Sequence, residues 1–295
     1  MGYRFQAKER IDVGLRRVVR EQIRGAIGDL ARSGADRHEG VHEARKRFKM
    51  IRAVLRLARG SLGELTYALE NTWYRDTGRR LSSVRDAVAM IECFDGLRKR
   101  FEKDMGPGAA DTVHAALVAR LERIAAGEEG LEERAAEVTA GLRNGMIRVR
   151  AWPIHDEGFE TIGPGLERVY RQGRLAMETA LPDPTDDNLH EWRKRVKDHW
   201  YHVRLLRNVW PKIMDAYKKE MKSLSDALGS DHDLAVLAPI LRGDPAAFGG
   251  EGAVARLLEL VVRRRGELQI QCRTFGRRIY AEKPRTLVAR FEARW

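Results

Sequence analysis

Val41-His-Glu-Ala-Arg-Lys-Arg-Phe-Lys-Met-Ile-Arg-Ala-Val-Leu-Arg-Leu57 realigns without a gap on Leu189-His-Glu-Trp-Arg-Lys-Arg-Val-Lys-Asp-His-Trp-Tyr-His-Val-Arg-Leu205 of the same chain. His42, Glu43, Arg45, Lys46, Arg47, Lys49, Arg56 and Leu57 recur as His190, Glu191, Arg193, Lys194, Arg195, Lys197, Arg204 and Leu205. Chance does not produce such a run, and a repeat changes the meaning of every motif inside it. The flanks follow in the same order: Gly14-Leu-Arg-Arg-Val-Val-Arg20 resembles Gly165-Leu-Glu-Arg-Val-Tyr-Arg171, and Leu81-Ser-Ser-Val-Arg-Asp-Ala87 resembles Leu228-Gly-Ser-Asp-His-Asp-Leu234. Two homologous helical bundles joined near residue 155 are the simplest account.

Within the repeated stretch, positions spaced three and four apart form stripes along a helix. Val41, Ala44, Phe48, Ile51, Leu55 and Ala58 make an apolar stripe that must face a core, and Leu189, Trp192, Val196, His199, Val203 and Leu206 make its counterpart. One residue on, a rotation of about 100°, lie His42, Arg45, Lys49, Arg52, Arg56 and Arg59, matched by His190, Arg193, Lys197, Trp200, Arg204 and Arg207. Lys46 and Lys194 flank this second stripe one turn after each histidine. A solvated helix face normally mixes signs, because like charges four apart repel. The same cations at the same offsets in both copies, beside apolar residues that have changed, point to an anion surface. Arg offers planar bidentate donors to phosphate oxygens, Lys a compact charge, and His a third kind of donor. An extended chain of phosphates fits such a row. If the bundles pack about a pseudo-two-fold axis, both stripes line one groove. Arg17, Arg20, Arg168 and Arg171 of the preceding helices fall in matching places and are possible secondary contacts, a solvated face being the competing reading.

The rest of the chain is rich in Ala, Leu, Arg and Glu with apolar residues at helical spacing, and alternating β-branched runs are nearly absent, so the class is all-α. Helices are expected over 5–32, 38–59, 62–83, 86–103 and 109–150, then over 164–181, 187–210, 212–228, 231–241 and 253–282. The breaks are set at Ser33-Gly34, Gly60, Ser82-Ser83 and Met105-Gly106-Pro107-Gly108, and later at Pro182-Asp183-Pro184, Pro211, Gly229-Ser230 and Gly249-Gly250. The first bundle then occupies residues 1–152, a linker 153–162, and the second bundle 163–295.

The 295 residues carry 55 Lys and Arg against 43 Asp and Glu, a formal charge of +12 that attracts anions without choosing among nucleic acid, anionic membrane and polyphosphate. Cys93 and Cys272 have no metal-ligand spacing and suit a reducing compartment. With no apolar leader legible and no apolar window long enough to span a bilayer, a cytoplasmic protein is expected.

A His followed by Arg, Lys and Arg at +3, +7 and +10 on a helix, once in each half, resembles the CHAD family, the conserved histidine α-helical domain. His42, Arg45, Lys49 and Arg52 match fully, whereas His190, Arg193 and Lys197 are followed by Trp200 at +10. A second family element stands as Arg85-Asp86 and, degraded, as His232-Asp233. The resemblance covers nearly the whole chain. It implies two four-helix bundles related by pseudo-two-fold symmetry, binding of inorganic polyphosphate along the basic surface, and association with polyphosphate granules. Trp200 implies fewer cations in the second half, or one placed elsewhere.

Other signals compete. His38-Glu39-Gly40-Val41-His42 is literally an HExxH, but Gly40 weakens the helix, no third ligand is evident, and only the second histidine recurs. Asp231 and Asp233 are read as first-turn acids of a helix starting after Gly229-Ser230, and His199 as a core histidine. No GxxxxGK loop occurs, and tryptophans are scattered rather than interleaved with cations. The expectation is therefore a binding module without catalytic residue, metal or cofactor, holding polyphosphate through His42, Arg45, Lys46, Lys49, Arg52, Arg56, His190, Arg193, Lys194, Lys197 and Arg204. A non-specific nucleic-acid binder and an enzyme of phosphate metabolism are the rivals.

Overall fold

The computed structural model describes residues 2–81, 84–106, 108–127 and 130–295. Every regular element among them is helical: α1 Ile11–Leu30, α2 Arg37–Leu57, α3 Arg59–Leu62, α4 Glu64–Arg80, α5 Val84–Arg100, α6 Ala109–Ala126, α7 Leu131–Arg150, α8 Gly163–Ala180, α9 Asp186–Leu205, α10 Pro211–Gly243, α11 Glu251–Ile279 and α12 Pro284–Glu292. The all-α class read from the sequence holds. Prolines stand in the first turns of α8, α10 and α12, where the missing N–H has no partner to lose. Thr185 caps α9, its hydroxyl accepting the Asn188 N–H at 3.3 Å.

Several boundaries differ from the sequence reading. Residues 5–10 are an arm rather than a first turn: Phe5 donates its N–H to the Leu205 carbonyl at the end of α9, 3.0 Å away, and buries its ring. The stretch 109–150 is two helices, parted where Gly130 takes a left-handed φ of 72° that few other residues adopt cheaply. The expected break at Gly229-Ser230 does not exist, and α10 runs through it. Leu224, Leu228, Asp231 and Leu234 are buried at helical spacing there, and that packing outweighs the roughly 1 kcal/mol that glycine costs a helix. Asp231 and Asp233 are consequently mid-helix residues and not first-turn acids. Asp231 is buried and accepts from Arg265 Nε at 3.1 Å and Gln269 Nε2 at 3.0 Å, both on α11. The chain also continues past 282 into α12, and the Ser82-Ser83 junction and Pro107 lie outside the described residues.

In the first half α2 packs between α1 and α4, with α7 against α1; in the second α9 packs between α8 and α10, with α12 against α8. The α5–α6 hairpin lies on α10 and α11 of the other half, where Met90, Phe94, Val113 and Leu117 share a cluster with Leu237, Leu241, Phe248 and Leu257. One larger core runs through both halves, from Leu15, Phe48 and Ile51 to Trp192, Val196 and Leu224. The segment 153–162 is packed and not free: Ile154, Phe159 and Ile162 are buried in that core. The apolar stripes of α2 and α9 face inward throughout, His199 included, its Nε2 2.9 Å from the Tyr217 hydroxyl. Burial in that core pushes the His199 imidazole down to about 3.

Candidate functional site

With their apolar faces turned to the core, α2 and α9 cross. His202 donates Nε2–H to the Ala53 carbonyl at 2.8 Å, and Arg56 Nη1 lies 3.2 Å from Asp198 Oδ1. A carbonyl can only accept, so the hydrogen of His202 is on Nε2. The crossing leaves the cationic stripes, displaced by one residue, on the flank of the contact. They wall a cleft of about 440 Å³, lined from the first half by Arg45, Lys49, Arg52 and Arg56 with Arg75 and Arg79 of α4. From the second half it is lined by Arg193, Lys194, Arg195 and Lys197, with Asp198 as the acid, and Tyr74 of α4 and Tyr201 of α9 make an aromatic wall. The two copies of the motif, far apart in sequence, thus share one cavity.

Most of these cations have a partner, Arg75 and Arg79 sharing Asp76 at 2.7 and 3.7 Å. Arg45 Nη1 lies 3.6 Å from Asp86 Oδ1, Arg52 Nε donates to Asn71 Oδ1 at 3.0 Å, and Arg195 donates to Glu191 at 2.7 Å. Lys194 pairs with Glu191 at the rim. Among the described residues, Lys49 and Lys197 have no hydrogen bond or ion pair, and Arg193 Nε is buried without a partner. Crowding by protein atoms around the cleft, then Arg45, Lys197 and Arg193 beside it, push the Lys49 ammonium down to about 8, an effect that water moderates because the residue is exposed. The same causes lower Lys197, through burial and then Arg193, and bring Arg52 to about 10, through burial and then Arg56. Burial raises Asp198, opposed by Arg56 and Arg195. The cleft is a concentration of like charge that an anion would relieve.

That crowding has a measurable sign. Folding lowers the Lys49 pKa from the ordinary lysine range to about 8, so its charged form opposes the fold at neutral pH, and the opposition fades as pH rises above about 8. Lys49→Met is expected to raise the melting temperature of the ligand-free protein by about 1–2 °C at pH 7 and low salt. The gain should shrink at pH 9.5 and in high salt. A variant less stable than wild type under all conditions would show that the lysine is held by attraction.

Not all expected residues reach the cleft. His42 and His190 stand one turn before it, each lowered from the ordinary imidazole value, first by burial and then by Arg85 and Lys46 around His42 and by Lys194 and Arg193 around His190. Lys46 sits outside, 2.5 Å from Glu43. Arg204 is drawn away by aromatic faces, its guanidinium 4.8 Å from the Trp200 ring centroid and 5.2 Å from that of Tyr3. Arg17 is held by Glu9 and Glu21, and with Arg20 it lines a separate surface along α1. Arg171 pairs with Glu167 at 3.6 Å, and Arg168 is likewise absent from the cleft wall. Conversely Arg75, Arg79 and Arg195 line the cleft and are outside the expected ligand set, although Arg195 repeats Arg47. The spacing of Arg75 and Arg79 by one helical turn was the available signal.

The HExxH residues fall in the first turns of α2, and among the described residues no group of three or more His, Cys, Asp or Glu side chains is placed to hold a metal ion. Nor is any helix among them long and apolar enough to cross a membrane. In comparison with known proteins, the family model described as CHAD domain matches residues 17–242, well over half of the chain. No curated protein matches the sequence.

Proposed function

The chain belongs to the CHAD family, and from that premise we propose that it binds inorganic polyphosphate in the cleft between α2 and α9, without turning it over, in association with polyphosphate granules. The observation that carries the reading is the joint cleft itself. Cations of both motif copies face one cavity with Asp198 as the acid in its wall, and Asp198 is already engaged by Arg56. Guanidinium and ammonium groups along a narrow wall suit successive phosphates of a single chain, each oxygen finding a charged donor. A duplex is too wide to enter a cavity of about 440 Å³ and would touch only its rim. The absence of turnover is supported by the chemistry of the lining, in which donors that neutralise charge outnumber groups able to activate water.

The test is a titration of long-chain polyphosphate against orthophosphate and duplex DNA at two salt concentrations, with free phosphate followed over hours. Affinity is expected to grow with chain length, to fall with salt by a logarithmic slope of roughly 0.7–0.9 per phosphate neutralised, and to survive excess DNA, with no phosphate released. Equal competition by DNA would favour a non-specific nucleic-acid binder. Steady release of phosphate would favour an enzyme.

A further inference from the structure

Beside the cleft, the second half packs two imidazoles where the first half has an imidazole and a guanidinium. His190, in the second turn of α9, has its ring centroid 4.5 Å from that of His232 in α10, the planes 34° apart. In the flanking match of 81–87 to 228–234, His232 stands where Arg85 stands in the first half, and Arg85 is a charged neighbour of His42. The charged groups facing the pair come from three helices. Arg193, Lys194, Asp186, Asp187 and Glu191 lie on α9, and Arg265 on α11 faces His232. Asp233, next along α10, faces Arg193, Lys197, Arg85 and Glu92. Two of the acids already have partners, Asp186 in Arg265 at 2.6 Å and Glu191 in Lys194 and Arg195.

Stacked imidazoles tolerate each other when neutral, and a charge on one opposes a charge on the other. Burial, then Arg193 and His190, hold His232 down to about 4, and burial, then Lys194 and Arg193, lower His190. At neutral pH the pair is therefore uncharged in the free protein. It is not saturated, however: His190 Nδ1 and the neighbouring Arg193 Nε are buried without a hydrogen-bond partner. A phosphate group set against them would supply both the acceptor they lack and the negative charge that makes imidazolium favourable.

Resting on the polyphosphate reading, we infer that His190 and His232 form a proton-coupled phosphate subsite beside the cleft, one turn before its second-half wall, charged only when a phosphate of the bound chain occupies it. The first half has a permanent cation, Arg85, paired with Glu92, in the position of His232, and His42 in that of His190. The two ends of the site thus differ. Binding raises the imidazole pKa values, so it takes up protons, and affinity rises as pH falls from neutral toward the free-state values. Arg85 adds nothing to that slope.

Proton uptake on polyphosphate binding, measured by calorimetry at about pH 6 in buffers of different ionisation enthalpy, tests this directly. His232→Arg is expected to take up about one proton fewer per site than wild type, and Arg85→His up to about one more. His232→Gln, uncharged and smaller than Arg, should also lose about one proton, with a thermal melt reporting that it is folded. Binding with the same proton count in wild type and both His232 variants overturns the subsite and leaves the polyphosphate reading standing. Absence of binding by wild type at any pH overturns both.

Discussion

The double variant Arg45→Glu, Lys197→Glu is expected to lose at least about 100-fold in polyphosphate affinity while its far-ultraviolet circular dichroism stays that of wild type. Truncating one member of a desolvated charge pair commonly costs 2–5 kcal/mol, roughly 30-fold to several thousand-fold. Reversal is harsher, because each position turns from a donor into a repulsive acceptor. The two residues come from different halves and line the same cavity, so neither half is left with an intact wall. The logarithmic salt slope should fall by the phosphates no longer neutralised, about 0.7–0.9 for each. Folding is expected to survive because both side chains reach the cleft from helices whose core faces are untouched, although Glu at position 45 would meet Asp86, whose carboxylate is 3.6 Å from the wild-type guanidinium. Asp86 is 68% exposed, so water screens that repulsion. Unchanged affinity in a folded double variant would remove the cleft from the function.

What could be read from the chain and what could not divides along the range of the interactions. The buried face of α2 was legible because Val41, Ala44, Phe48, Ile51 and Leu55 carry their period within the helix itself. So was the cationic face, because the second copy repeated it. The fate of Arg204 was not legible: its place in the period is that of Arg56, but Trp200 and Tyr201 on its own helix and Tyr3 of the N-terminal arm surround it with aromatic faces. In the other copy, Arg56 meets Asp198, which stands where the first copy has Met50. One exchanged neighbour separates a cleft residue from an occupied one.

Helix boundaries failed for the same reason. Gly229-Ser230 is a sound local stop signal, overruled by burial of Leu228 and Asp231 against partners on α9 and α11 that no local window contains. Asp231 looked like a helix-start acid because Arg265 and Gln269, which satisfy it, are more than thirty residues away. Arg75 and Arg79 went unnoticed because α4 has no counterpart motif to call attention to them, and only the packing of α4 on α2 brings them to the cleft.

How the halves meet is most exposed at Gly165, one of the two glycines matched in the flanks of the repeat. A Cβ there would run into the Leu57 carbonyl at the end of α2, with the Arg56 carbonyl 2.8 Å away, so α8 can lie on that helix end only because the side chain is missing. Both atoms are backbone and cannot rotate aside. Gly165→Ala is therefore expected to destabilise the protein by about 3 kcal/mol, in the upper range of overpacking, and to lower the melting temperature by roughly 5–10 °C. Gly266→Ala, the same chemical change within α11, meets nothing within 4 Å. It should stabilise by about 0.5–1 kcal/mol through the helix propensity of alanine. The opposite signs separate contact from propensity, since propensity alone would raise both. Gly165→Ala should also weaken polyphosphate binding by about tenfold below its melting temperature, because α8 cannot withdraw from the end of α2 without disturbing the α2–α9 crossing that aligns the two cationic walls. Calorimetric melts of the two variants, followed by a polyphosphate titration at about 20 °C below the lower midpoint, read both effects. If Gly165→Ala melts with wild type, the close approach of α8 to α2 does not hold the halves together.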